Sequence, residues 1–117
     1  MTQEEKQLLL VDLSARFPYN VAIDCRSEDS RFTCYLTTDM LREIQNNTCY
    51  WEYKPFLFPL SSMTPKQKSE LSILTSDSER MFDSTLIEID FYHKHHIDYR
   101  GLIEKGLAID ATGLNIY

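Results

Sequence analysis

The sequence predicts an α+β fold: an N-terminal helix, a small antiparallel sheet of three to four strands, open or closed into a barrel, and then C-terminal helices. Three observations carry this. Thr2 and Glu5 form a capping box ahead of apolar residues at helical spacing, two β-prone runs flank the polar stretch Ser27-Glu28-Asp29-Ser30, and Thr64-Pro65 followed by Gln67 opens a second helix.

In the capping box each side chain satisfies the other residue's free backbone N–H, so the first helix starts near Gln3. Leu9, Leu10, Leu13 and Phe17 share one face, Lys6, Gln7, Asp12 and Arg16 lie largely opposite, and Pro18 biases its predecessor out of the helix. Residues 21–25 and 31–36 read as the strands of a hairpin, and residues 50–53 as a third strand rich in aromatics. Asp39 to Asn46 fits helix and strand alike. Pro55 and Pro59 remove backbone donors, so residues 54–60 are expected to be an apolar connector instead of a regular strand.

The second helix begins at Pro65 and should carry Leu71 and Leu74 inward, followed by a polar loop over residues 77–83. Beyond it two patterns compete. Ile87, Ile89 and Phe91 alternate as in a strand, while Leu86, Ile89, His93 and Ile97 form a helical stripe. Asp98 can cap a short final helix over residues 99–105 with Leu102 and Ile103 inward, and Gly106 suits the left-handed position past its end.

The 117 residues suit one domain, and a hydrophobic fraction of 43 % supplies a core without metal or disulfide staples. No apolar run approaches the roughly 20 residues of a membrane span, and the first residues lack the basic-then-apolar order of a secretion signal, so a cytoplasmic protein is expected. Cys25, Cys34 and Cys49 are odd in number and contain no C-x-x-C, which predicts reduced, partly buried thiols. A net charge of -6 repels a phosphate backbone and disfavours generic nucleic-acid binding.

Three segments, residues 7–19, residues 54–64 (Lys-Pro-Phe-Leu-Phe-Pro-Leu-Ser-Ser-Met-Thr) and residues 95–108 (His-His-Ile-Asp-Tyr-Arg-Gly-Leu-Ile-Glu-Lys-Gly-Leu-Ala), give the chain a family likeness. It resembles a family of short uncharacterised proteins encoded in gut Bacteroides genomes and in their phages and mobile elements. The resemblance brings no reaction with it. It does imply a helix before the His-His-x-Asp-Tyr-Arg-Gly run, tipping residues 85–96 toward helix, and a sheet trimmed between Cys34 and Trp51.

Reactive side chains concentrate at His93-Lys94-His95-His96. On a helix Asp90, His93 and His96 share a face and could ligate zinc or a similar ion; the plainer reading has the imidazoles at a helix C-terminus, where the dipole favours them. Of the three, His95 and His96 match the family's motif. Asp98, Tyr99 and Arg100 could form a polar anion site, or Asp98 caps a helix, Arg100 pairs with Glu104 four residues on, and Tyr99 leaves its hydroxyl exposed. A Cys–His nucleophile has little to lower its thiol pKa beyond Arg26 beside Cys25. The three glycines make no phosphate-cradling loop. No catalytic residue and no cofactor is therefore assigned.

Two features suit a protein partner. Asp77, Glu79, Asp83, Glu88 and Asp90 against Arg80 alone make an acidic stretch that either engages a basic surface or is simply solvated. Tyr50, Trp51, Tyr53, Phe56 and Phe58 form an interaction patch or, in part, core. The leading expectation is a non-catalytic accessory or protein-interaction protein of a phage or mobile element, with no membrane association. The alternatives are a metal-binding module or metal-dependent enzyme using His93, His95 and His96, and an acidic inhibitor that mimics nucleic acid.

Overall fold

The computed structural model describes residues 1–48, 50–76 and 84–117. Helix α1 spans Gln3–Arg16 and opens on the expected capping box, Thr2 and Glu5 exchanging side-chain and backbone hydrogen bonds of 2.8 and 3.1 Å. Strands β1 (Ala22–Arg26) and β2 (Arg31–Tyr35) form the hairpin, with Cys25 opposite Phe32 and Ile23 opposite Cys34. The undecided segment after them is helix α2, Thr38–Asn46, because Thr37 caps it through Met40 N–H and Asn47 ends it in the left-handed conformation. Leu9 and Leu13 of α1 meet Ile44 of α2 and Val21, Ile23, Cys25 and Leu57 of the sheet region in the main core.

Strand β3 corrects the expected connector. It runs through both prolines, Glu52–Pro59, and pairs antiparallel with β1 up to Ile23 opposite Pro55. It then changes partners, pairing parallel with β5 (Ile109–Asp110) at residues 56–57 and with β4 (Ile97–Asp98) at residues 58–59. The reason lies in the alternation of the backbone. Ala22 N–H and Phe56 C=O face each other, and Phe58 N–H donates to His96 C=O at 2.8 Å, so the even-numbered residues bond toward β1 and β4. Pro55 and Pro59, both odd, direct their missing donors the other way and cost those two ladders nothing.

The register would next pair Ala22 with Phe56, and there the Tyr117 hydroxyl takes the place of a ladder bond. It accepts from Ala22 N–H at 2.8 Å and donates to Phe56 C=O at 2.7 Å. Ala22, Phe56 and Ala111, with Phe58, Ile109 and Ile116 against them, make a second apolar cluster. The five-stranded sheet is mixed and open: β2 pairs with β1, β1 with β3, and β3 in turn with β4 and β5; it does not close into a barrel.

Helix α3, Pro65–Ser76, starts at the predicted Thr64–Gln67 capping pair, and α4, Ser84–Lys94, is the helix that the family likeness implied. The expected loop over residues 77–83 lies outside the described residues. Leu71 is half-buried, but Leu74 is 47 % exposed, so α3 does not carry both leucines inward. The largely exposed α3 helps to explain a radius of gyration of 15.3 Å, against about 13 Å for a compact chain of this size. The short final helix is replaced by turns: Leu107 N–H returns to Leu102 C=O, and Gly106 takes the left-handed φ of 74° that such a closure needs. No helix among the described residues is long and apolar enough to cross a membrane.

Tyr117→Phe keeps the ring but leaves Ala22 N–H and Phe56 C=O unpaired. It should lower unfolding free energy in urea by about 1–3 kcal/mol; an unchanged midpoint would mean the hydroxyl does not hold the strands at this point.

Candidate functional site

Among the described residues the densest polar chemistry is inside the protein, on the face of α1 that the sequence pattern assigned to solvent. Lys6, Asp12 and Arg16 are all buried, the last two at 0 % exposure. Arg16 Nε donates to Asp12 Oδ2 at 2.7 Å and Arg16 Nη2 to the β4 carbonyl of Ile97 at 2.6 Å. Arg100 Nε reaches the other Asp12 oxygen at 3.2 Å, so Arg100 pairs with α1 and not with Glu104. Both guanidinium groups lie over the Tyr99 ring, at 5.6 and 4.9 Å from its centre. The Tyr99 hydroxyl is not left free: it hydrogen-bonds His93 Nε2 at 2.6 Å.

Asp98 is the cap that the sequence suggested, although of a turn. Its carboxylate accepts from the N–H groups of Arg100, Leu102 and Ile103 at 3.2, 3.0 and 3.0 Å. Removing two opposite charges from water costs several kcal/mol each, which their attraction offsets only when the remaining polar atoms are also paired. Here the pairing is nearly complete; Arg16 Nη1 and His96 Nδ1 are the buried side-chain atoms without a partner among the described residues.

The metal candidates are each engaged separately. His93 is held by Tyr99, and burial followed by the nearby Arg16 charge keeps it below the usual imidazole range. His96, at a left-handed φ of 58°, stacks on Tyr117 with ring centres 3.7 Å apart; burial, then Arg16 and His95, pushes its pKa down to about 4. His95 lies against Phe91. Asp90 accepts the Tyr19 hydroxyl at 2.6 Å, which raises the tyrosine's pKa. Among the described residues no group of three or more His, Cys, Asp or Glu is placed to hold a metal ion. Of the acidic stretch, Asp77, Glu79 and Asp83 lie outside the described residues, and Glu88 accepts the Tyr92 hydroxyl.

The aromatic group divides. Phe56 is core, while Tyr50 is 75 % exposed and Trp51 half-buried. Trp51 meets Tyr50 and Phe32 edge-on, with ring centres 5.5 and 4.9 Å apart. Phe32 was not among the candidates: it is nineteen residues from Trp51, and only the register that sets Phe32 and Tyr53 on either side of Cys25 brings it there. Beside this trio a 410 Å³ cleft is lined by Leu9, Ile44, Trp51, Tyr53, Lys105 and Leu107 among others. The outer edge of β2 pairs with no strand among the described residues.

Two predictions follow from the buried cluster. Arg16→Met strands part of the Asp12 charge and should cost about 3–5 kcal/mol in urea unfolding, whereas Asp12→Leu combined with Arg16→Met should cost less than the two single changes added. For the pH dependence, folded and unfolded chains both hold His96 neutral above its ordinary pKa of 6.5. Between 6.5 and about 4 only the unfolded chain takes up the proton, so stability falls as pH is lowered through that window and the loss is complete below it. His93 acts in the same direction. His96→Asn, which tolerates the left-handed backbone, should flatten the urea midpoint against pH; an unaltered slope would remove His96 as the cause. Compared with protein-family models, curated proteins and solved structures, the chain gives no match.

Proposed function

We propose that this protein works by binding another protein, without catalysis of its own, as a cytoplasmic accessory of a phage or mobile element. The observation that carries the reading is the contrast between its chemistry and its surface. Among the described residues, the densest groups of polar side chains are turned inward, in the Asp12–Arg16–Arg100 ion cluster, the His93–Tyr99 bond and the His96–Tyr117 stack. The Phe32–Trp51–Tyr50 trio, with Phe32 and Tyr50 exposed around the half-buried Trp51, by contrast sits beside an open strand edge and an apolar cleft.

Aromatic side chains of this kind bring large, rigid contact area at low entropic cost, and tryptophan and tyrosine are enriched among residues that dominate binding energy. An open edge adds main-chain donors and acceptors that an extended partner segment can pair with. The likeness to proteins of Bacteroides phages and mobile elements supports the genomic setting, and the acidic net charge supports a protein partner over nucleic acid.

The test is affinity capture from a gut Bacteroides lysate with three immobilised forms: the native chain, Phe32→Ser combined with Tyr50→Ser, and a control changed at the exposed Leu86 of α4. A partner held by the native and control forms, with binding weakened at least about tenfold in the double variant, is expected from the loss of two aromatic contacts. A partner held equally by all three would place the interface elsewhere, and capture of none would count against the reading.

A further inference from the structure

Cys25 and Cys34 are nine residues apart in sequence, yet the hairpin brings their sulfur atoms to 3.0 Å. Cys25 stands opposite Phe32 and Cys34 opposite Ile23, so the two thiols are diagonal neighbours on the same face of the sheet. Both are reduced. We propose that this pair is a site of reversible oxidation, forming a Cys25–Cys34 disulfide by exchange with a small-molecule disulfide. The inference does not rest on what the aromatic surface binds.

The exchange balances in two steps. Cys34, half-buried, is the thiol that a small disulfide reaches first. Its thiolate attacks one sulfur of the small disulfide, breaks that S–S bond, releases one thiol and leaves a mixed disulfide on Cys34. Cys25 then loses its proton, its sulfur attacks the Cys34 sulfur, and the second small thiol departs. Two protein thiols are oxidised to one disulfide, and the small disulfide is reduced to two thiols. Cys25 is fully buried and its pKa is pushed up to about 12, chiefly by that burial, which disfavours the thiolate that the closing step needs.

Closure has a mechanical consequence. Diagonal neighbours in an antiparallel pair have Cα atoms about 7–8 Å apart, whereas disulfides favour about 4.4–6.8 Å and an S–S length near 2.0 Å. Forming the bond therefore draws β1 and β2 together along the diagonal. Phe32, directly across from Cys25, moves with β2, and its ring touches Trp51, the one tryptophan of the chain. Oxidation is thereby coupled to the aromatic trio.

The experiment treats the full chain under native conditions with excess oxidised glutathione, quenches it with acid, and measures intact mass, tryptic linkage and tryptophan emission. The expected result is a mass lower by two hydrogens, a link between tryptic peptides 17–26 and 32–42, and a shift in emission, all reversed by dithiothreitol. Cys49→Ser should behave like the native chain, and Cys34→Ser should lose both the bridge and the emission shift. Glutathione remaining on Cys34 without closure, a link that involves Cys49, or a bridge that forms only in denaturant would each overturn the proposal.

Discussion

The buried carboxylate of Asp12 joins parts of the chain that nothing else would bring together in this way. One of its oxygens holds Arg16 on the next turn of α1 and the other holds Arg100, eighty-eight residues away, while Arg16 also grips the Ile97 carbonyl. A two-residue strand such as β4 has too few ladder bonds to stand alone, so its place beside β3 depends on this side-chain anchorage as well as on backbone pairing. The turn that follows depends on it indirectly, because Asp98, which caps that turn, is a residue of β4. An ion cluster of this kind contributes little net stability over a well-packed apolar substitute. What it supplies is position: α1, β4 and the 98–103 turn fit together in one arrangement that satisfies both oxygens of Asp12.

Strand β3 is the complementary organiser. It is antiparallel to β1 in its first half and parallel to two short strands in its second, so the sheet changes character along a single strand. Pro55 and Pro59 help to fix that change. Placed four apart, they withhold donors on one side only and leave Leu57 between them, whose carbonyl accepts from Ala111 N–H at 2.8 Å. The Tyr117 hydroxyl then occupies the gap where β1 and β3 part. Side chains thus complete the sheet where the backbone ladder stops.

The legible parts of this fold are those written in local signals. Thr2–Glu5 and Thr64–Gln67 each satisfy helix-end donors within four residues, and both helices begin where these pairs place them. The hairpin likewise follows from two apolar runs around a polar turn. What was hidden depends on partners far along the chain. Asp12 and Arg16 look like solvent-facing charges until Arg100 and Ile97 arrive to surround them. The prolines of β3 look disqualifying until the direction of each missing donor is known. Phe32 belongs to the aromatic surface only through register. The histidines could be read for their spacing but not for their directions, because His96 leaves the helix with positive φ and turns to Tyr117.

These two organisers also account for where the protein offers a surface. On the β3 side of the sheet, β4, β5 and residues 111–117 take up the backbone groups and cover Phe56. On the β2 side the strand is only five residues long, and four of those five are exposed. Open edges are usually blunted by charge, proline or a bulge. Here the one charge, Arg31, is drawn back across the sheet to Asp24 at 2.8 Å and does not guard the edge. The edge is therefore left without a strand partner among the described residues, with the aromatic trio beside it, and it is this combination on which the proposed protein partner would draw. Directly behind it lie the paired thiols, on the same two strands whose separation sets the position of Phe32. A change at those sulfur atoms would reach the open edge without passing through the ion cluster that holds the rest of the fold.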